Sequence, residues 1–175
     1  MAVRRVIYYP DAPLSDKSKP VNVFGTKLER LVEDLIETMR TQAGVGLAAP
    51  QVGVSRRLFV LQEPEGEPMC FVNPEILESE GREEGEEGCL SMPRMFAMVP
   101  RATRIAVRAQ DPQGEEFELE AKDFLARIIQ HETDHLNGIL FPERLDLITR
   151  QEILEQWAEL RPQLLAEEAG GEDAT

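Results

Sequence analysis

The chain is poor in thiols and imidazoles: its 175 residues include two cysteines and two histidines. Two thiols over this length exclude a disulfide framework, so Cys70 and Cys89 are read separately, each as a buried thiol or as a ligand. Long apolar runs are absent too. No stretch reaches the roughly eighteen apolar residues that a membrane-spanning helix needs. The N-terminal Met1-Ala2-Val3-Arg4-Arg5-Val6-Ile7-Tyr8-Tyr9-Pro10 starts basic, but its apolar stretch is short and lacks a small-residue cleavage site. No secretory signal is expected, and a cytoplasmic location follows as the default. Positive charge is scarce: 19 Lys and Arg stand against 33 Asp and Glu, for a net charge of −14. Nucleic-acid phosphates and anionic lipid are therefore disfavoured as partners.

The 42 % hydrophobic share suits one ordinary core, and the length suits one domain. No internal repeat occurs. Residues 78–87, rich in Glu and Gly, are expected to be weakly ordered. Residues 166–175, small and acidic, are expected to form a mobile tail, which leaves 1–165 as the folded domain.

Between Thr26 and Thr41, Leu28, Leu31, Val32, Leu35, Ile36 and Met39 recur at helical spacing. Gly44-Val45-Gly46-Leu47-Ala48-Ala49-Pro50-Gln51 follows, too rich in Gly and Pro to continue a helix and small enough for close approach of a ligand. Short strands are predicted at 57–62, 69–72, 102–109 and 117–120, the last after the turn Asp111-Pro112-Gln113-Gly114. Residues 121–137 read as a second long helix that exits at Asn137-Gly138. A third is predicted to start near Thr149, capped by Thr149 and Glu152, with Pro162 stopping or kinking it. Strands surround a helix without regular alternation, so the fold class is α+β.

Both histidines lie in His131-Glu132-Thr133-Asp134-His135. Residues four apart share a helix face, so two imidazoles can reach one cation. Glu132 points roughly one hundred degrees around from His131, where it can serve as general base for water beside the ion. The pattern alone is permissive, but the helix's apolar side continues through the histidines, whose buried rings need partners. A catalytic divalent ion usually takes three protein ligands. No histidine remains downstream; Glu143, Glu152 and Glu155 are available there, but Glu152 and Glu155 belong to an acidic helix whose pattern explains them. Cys89, in Glu86-Glu87-Gly88-Cys89-Leu90-Ser91, is the other candidate, since a thiolate is stabilised beside a cation. Cys70 lies in the apolar run Met69-Cys70-Phe71-Val72 and is assigned to the core. Asp134 points away from both histidines, and Glu87 is a candidate to pair with an arginine near Arg101.

Three segments together resemble the signature motifs of the peptide deformylases: Gly44-Val45-Gly46-Leu47-Ala48-Ala49-Pro50-Gln51, Glu87-Gly88-Cys89-Leu90-Ser91 and Gln130-His131-Glu132-Thr133-Asp134-His135. The likeness extends loosely from Val6 to Leu147, and the helix after Leu147 is similar to that of the bacterial subgroup with a helical C-terminus. It implies antiparallel strands packed around a central metal-binding helix, with N-terminal and C-terminal helices, and 1–165 as one catalytic domain. It implies removal of the formyl group from N-formylmethionine of new polypeptides, with Cys89, His131 and His135 binding one divalent cation. Fe2+ is expected, with Zn2+, Ni2+ and Co2+ as alternatives. By the same likeness Glu132 moves the proton, the Gln51 amide and the Leu90 N–H stabilise the oxyanion, and Gly46 holds the extended substrate. Val45, Phe124 and Ile128 are the candidates for the methionine pocket. Arg127 stands where relatives often carry an apolar residue, and is expected to open or polarise the pocket rim. Some relatives approach the ribosome through a basic tail. Here 149–175 carries Arg150 and Arg161 against Glu152, Glu155, Glu159, Glu167, Glu168, Glu172 and Asp173, so transient ribosome proximity without strong RNA binding is expected. Two rival readings are a zinc peptidase with the same helix motif, in which Cys89 is dispensable for the metal, and a non-catalytic metal module, in which Glu132 is dispensable.

Overall fold

The computed structural model describes residues 1–172, without the side chain of Glu172. Helix α1 spans Thr26–Thr41 and buries Leu28, Leu31, Val32, Leu35 and Met39, the face expected from their spacing. Seven strands follow: β1 Gly46–Ala48, β2 Leu58–Leu61, β3 Met69–Glu80, β4 Glu83–Cys89, β5 Met92–Arg101, β6 Arg104–Gln110 and β7 Glu116–Lys122. They form an antiparallel five-stranded sheet ordered β1-β2-β3-β6-β7 and a separate β4-β5 hairpin. Helix α2, Asp123–Leu136, lies against the sheet, and Ala126, Ile128, Ile129 and Leu136 join Phe59, Phe71, Ile105 and Val107 in one core cluster. Helix α1 packs a second cluster against β1 and β2. Helix α3, Leu147–Glu172, packs Ile153, Trp157 and Leu164 against Met92, Met95 and Val99 of β5 and against Leu14. The architecture is α+β, with α2 at its centre.

Several local expectations are corrected. Residues 78–87 are mostly strand, not loop: 78–80 close β3 and 83–87 form most of β4, with Gly81 and Arg82 joining them. Along β4, Glu87 and Cys89 are buried while Glu84 and Glu86 are exposed, the alternation of a strand with one face inward. The glutamates hid it because the inward Glu87 is charged. Strand β5 was not foreseen, since its prolines and methionines show no clear period, and β1 is too short to signal itself. Helix α3 starts at Leu147 because Asp146 caps it, its carboxylate accepting from the N–H groups of Ile148 and Thr149.

Pro162 neither stops nor ends α3. Buried Trp157 and Leu164 on either side hold the helix on β5. Residues 166–172, expected to be mobile, continue α3. Tyr8 donates a hydrogen bond to Glu168, Arg94 pairs with Glu167 at 3.2 Å, and the Trp157 indole donates to the Tyr9 carbonyl at 2.9 Å. Residues 173–175 of the expected tail lie outside the described residues. Cys70 sits half-buried at the edge of the α1 cluster, where burial pushes its thiol up to about 12.

Candidate metal centre and active site

Helical spacing brings His131 and His135 of α2 to one face, where their Nε2 atoms stand 3.3 Å apart. Cys89 arrives from the hairpin. Gly88 pairs with Phe96 but Cys89 pairs with Met92, so Pro93, Arg94 and Met95 bulge from β5 between them. Such a bulge bends the hairpin and re-aims side chains. Here the Cys89 Sγ lies 3.3 Å from His135 Nε2, and the three donor atoms fall within 4.8 Å of one another. This donor set fits a divalent cation. Tetrahedral ligands at about 2.05 Å put two nitrogens about 3.3 Å apart, the separation found here. Glu143 lies outside this group: it caps the 3-10 turn Phe141–Arg144 by accepting from Leu140 N–H at 2.9 Å.

A buried ionic layer sets the orientation of the rings. Glu87 Oε1 lies 2.7 Å from His131 Nδ1. Burial alone would raise the Glu87 pKa, but bonds from His131 and Arg101 outweigh it and hold it at about 2. A carboxylate can only accept, so His131 donates through Nδ1, which fixes the ring with Nε2 facing His135. Arg101 grips Glu87 with two bonds of 2.9 and 3.0 Å, and Arg127 adds a third of 2.7 Å. The arginine partner expected for Glu87 is thus Arg101 itself, joined by Arg127. Asp134 turns away from the histidines, accepting from Arg101 at 2.6 Å and from Arg144 at 2.9 and 2.6 Å. Burial disfavours the charged form of both imidazoles. For His131, bonds to Cys89 and Glu87 overcome this and raise its pKa well above the ordinary value. For His135, burial and the neighbouring His131 charge push it well below.

Glu132 is 4 % exposed, and its Oε2 has no hydrogen-bond partner among the described residues. Burial raises its pKa to about 7; the His131 charge opposes the rise and the Glu87 charge adds to it. Strand β1 crosses directly over it. A Cβ on Gly46 would lie 2.8 Å from Glu132 Cδ and closer still to Oε1, so no side chain fits at 46 without moving the carboxylate.

Gln51 ends the small-residue segment in the 3-10 turn Ala49–Val52, and is buried rather than exposed. Its Oε1 accepts from Ala48 N–H at 2.9 Å, which aims Nε2 at Cys89 Sγ, 3.6 Å away, and at Ser91 Oγ, 3.3 Å away. Leu90 occupies the turn between β4 and β5, beside Gly44.

One cavity of about 400 Å3 opens onto this centre and is lined by Gln51, Cys89, Leu90, His131 and Glu132. Gly46, Val45, Phe124 and Ile128 line it as well. Ile128 is buried, whereas Val45 and Phe124 are 39 % and 48 % exposed and stand at the mouth. Sequence reasoning missed Met95 and Phe96 in the lining, because β5 gave no periodic signal. It also missed Arg144 as a partner of Asp134, a contact that depends on the path of the chain after α2.

The polypeptide deformylase family model matches residues 3–151. The peptide deformylase of Chromobacterium violaceum is 48 % identical over 155 residues, covering 87 % of this chain and 93 % of the relative. Among solved structures, the peptide deformylase from Legionella pneumophila superposes with a TM-score of 0.88 at 40 % identity, covering 94 % of this chain and 98 % of that one. The enzyme from Thermus thermophilus gives 0.86 at 45 % identity, covering 94 % and 96 %. With most of its length matched and its cysteine and two histidines converging beside a buried glutamate, the chain belongs to the polypeptide deformylase family.

Proposed function

We propose that Cys89, His131 and His135 hold one Fe2+ ion, and that Glu132, Gln51 and the Leu90 N–H carry out the hydrolysis beside it. As a member of this metal-dependent family, the chain removes the formyl group from N-formylmethionine at the start of newly made polypeptides and releases formate. The observation that carries the assignment of roles is the convergence of one sulfur, two imidazole nitrogens and a buried carboxylate on a single cavity. A bound divalent cation supplies Lewis acidity, which acidifies water and polarises a carbonyl. Thiolate and imidazole together suit Fe2+, and also Zn2+, Ni2+ or Co2+.

The remaining work falls to the protein's own groups. Glu132, with a pKa of about 7, can take a proton from the attacking water and return it to the departing amine at neutral pH. Gln51 Nε2 and the Leu90 N–H donate to the formyl oxygen as negative charge grows there; each such donor is worth about 3 kcal/mol. Strand β1 is the edge of its sheet, so an extended peptide can add to its free side at Gly46. The methionine side chain then enters the cavity between Val45, Phe124 and Ile128. The close approach of β1 to Glu132 narrows the space beside the carboxylate, which supports selection of a formyl group over a longer acyl chain.

Action on new chains brings the protein transiently to the ribosome. Helix α3 is too acidic for this to rest on RNA binding. Among the described residues no helix is long and apolar enough to cross a membrane, and a cytoplasmic site of action fits the substrate. The test is formate release from formyl-Met-Ala-Ser by protein loaded anaerobically with Fe2+, beside its acetyl counterpart. Rapid release from the first only is expected; comparable cleavage of the acetyl peptide contradicts the reading.

A further inference from the structure

Among the described residues, helix α3 contributes none to the wall of the catalytic cavity. It reaches the site at one remove, through residues 7–9. Ile7 N–H donates to the Gln51 carbonyl at 2.9 Å, and Tyr9 N–H donates to the Ser91 carbonyl at 3.0 Å. Residues 7–9 therefore form a strap across two segments, the 3-10 turn that carries Gln51 and the turn that carries Leu90 and Ser91. These segments supply the two oxyanion donors proposed above, the Gln51 amide and the Leu90 N–H. Their side chains meet as well, with Gln51 Nε2 3.3 Å from Ser91 Oγ. A side-chain contact can rotate away; the two backbone bonds of the strap set how far apart the segments stand.

The strap is anchored at both ends. Upstream, Arg4 N–H donates to Thr38 Oγ1 at 2.8 Å and the Arg4 guanidinium pairs with Asp34 at 2.9 Å, both on α1. Downstream, the backbone is anchored by Trp157 of α3. Trp157 is 3 % exposed, its indole N–H donates to the Tyr9 carbonyl at 2.9 Å, and its ring meets Tyr8 edge-on at 5.9 Å. Tyr9 is thus held on both sides of its peptide backbone, by Ser91 at its N–H and by Trp157 at its carbonyl. Arg161 and Asp11 pair beyond the strap at 2.7 Å, but that exposed contact is screened by water. An indole has one donor and no acceptor, so the bond to Tyr9 uses all the hydrogen-bonding capacity of Trp157. Removing it frees the Ser91 end of the strap more than the Gln51 end.

We propose that Trp157 is a positioning residue for the oxyanion hole. Its bond to Tyr9 holds the strap against Ser91, and the strap keeps the Leu90 N–H in register with the Gln51 amide. Donors of this kind act only when preorganised, and a misplacement near 1 Å costs about a hundredfold in rate. Trp157 does not border the cavity, so its effect passes through Tyr9 and Ser91. This rests on the roles proposed above for Gln51 and Leu90.

The test uses two changes at position 157, the only tryptophan of the chain. Trp157→Phe keeps an aromatic ring but has no donor. Biosynthetic replacement of the tryptophan by benzothienylalanine exchanges the indole N–H for sulfur at nearly constant shape. Leu164→Ala, which loosens α3 but removes no hydrogen bond to residues 7–9, is the control for general damage. With Fe2+-loaded protein and formyl-Met-Ala-Ser, both changes at 157 should lower kcat about tenfold, with KM and metal content held within about twofold. Leu164→Ala should lower the thermal midpoint and leave kcat within about twofold. Native-state hydrogen exchange at the Tyr9 amide should quicken about tenfold, relative to the amides of β2, in both proteins changed at 157. If Trp157→Phe does not fold, the benzothienyl protein decides alone. An unchanged kcat, a change in KM only, an equal loss in Leu164→Ala, or unmoved Tyr9 exchange overturns the role of Trp157. No formate release by the unaltered protein overturns the deformylase reading instead, and Tyr9 exchange then still decides whether Trp157 holds the strap.

Discussion

Gly46→Ala probes the packing of β1 against Glu132, the proposed general base. The added Cβ would lie 2.8 Å from Glu132 Cδ and closer still to Oε1, whereas ordinary carbon contact begins at about 3.4 Å, so one side must yield by more than about 0.6 Å. The strand is the stiffer side. Gly46, Leu47 and Ala48 are paired with Leu61, Val60 and Phe59, and Leu47 and Ala48 are fully buried. The Glu132 carboxylate, with no partner on Oε2, is the softer side. A misplacement near 1 Å in a catalytic group costs about a hundredfold in rate. We expect Gly46→Ala to lower kcat by about that factor, with metal content retained. The assay is steady-state formate release, resolving kcat from KM, with metal determined on the same samples. A kcat within twofold of the unaltered protein refutes the reasoning. A rise in KM alone means that the methyl blocks substrate and leaves the base in place.

Other outcomes follow from the same geometry. Glu132→Gln removes the proposed proton carrier but no proposed ligand, so kcat should fall by about 10²–10⁴-fold while metal analysis still finds one ion per chain. Glu87 is held at about 2, against an ordinary value of 4.5. Its charged form therefore stabilises the fold fully above about pH 4.5, and that contribution, of order 3 kcal/mol, fades as pH falls toward 2. Urea melts of chelator-treated protein should show the unaltered chain exceeding Glu87→Gln most at neutral pH, with the gap closing between pH 4.5 and 2; a pH-independent gap contradicts this. Gly138 ends α2 at φ 73°, and a Cβ there would lie 2.6 Å from the Ser15 carbonyl oxygen. Gly138→Ala should cost more than about 1 kcal/mol, read as a drop of several degrees in thermal midpoint, without altering kcat of the folded fraction.

Much of the centre was legible because its chemistry is written in local patterns. The α1 stripe and the His131–His135 spacing are helical signals within single segments. Cys89 was reached only as one of several candidates until the three motifs were taken together, because the bulge that delivers it depends on how β4 pairs with β5. Strand β4 was read as loop since its inward face presents Glu87, which the core accepts only because Arg101 and Arg127 meet it there. No local signal reports such compensation from distant segments. The end of α3 likewise looked mobile by composition, yet Tyr8, Arg5 and Arg94 come from far upstream to meet Glu168 and Glu167. Arg127 was noticed as an oddity on the helix and expected at an open rim, but its 2.7 Å bond to Glu87 and its packing on Gly85 across the hairpin are properties of the folded chain alone.

X-ray absorption at the metal edge of anaerobically purified protein, with metal content measured alongside, addresses the centre most directly. One ion per chain with a sulfur and two imidazoles in its shell is expected, along with loss of that ion in Cys89→Ala. A shell without sulfur, or a Cys89→Ala protein that keeps its metal, would contradict the account.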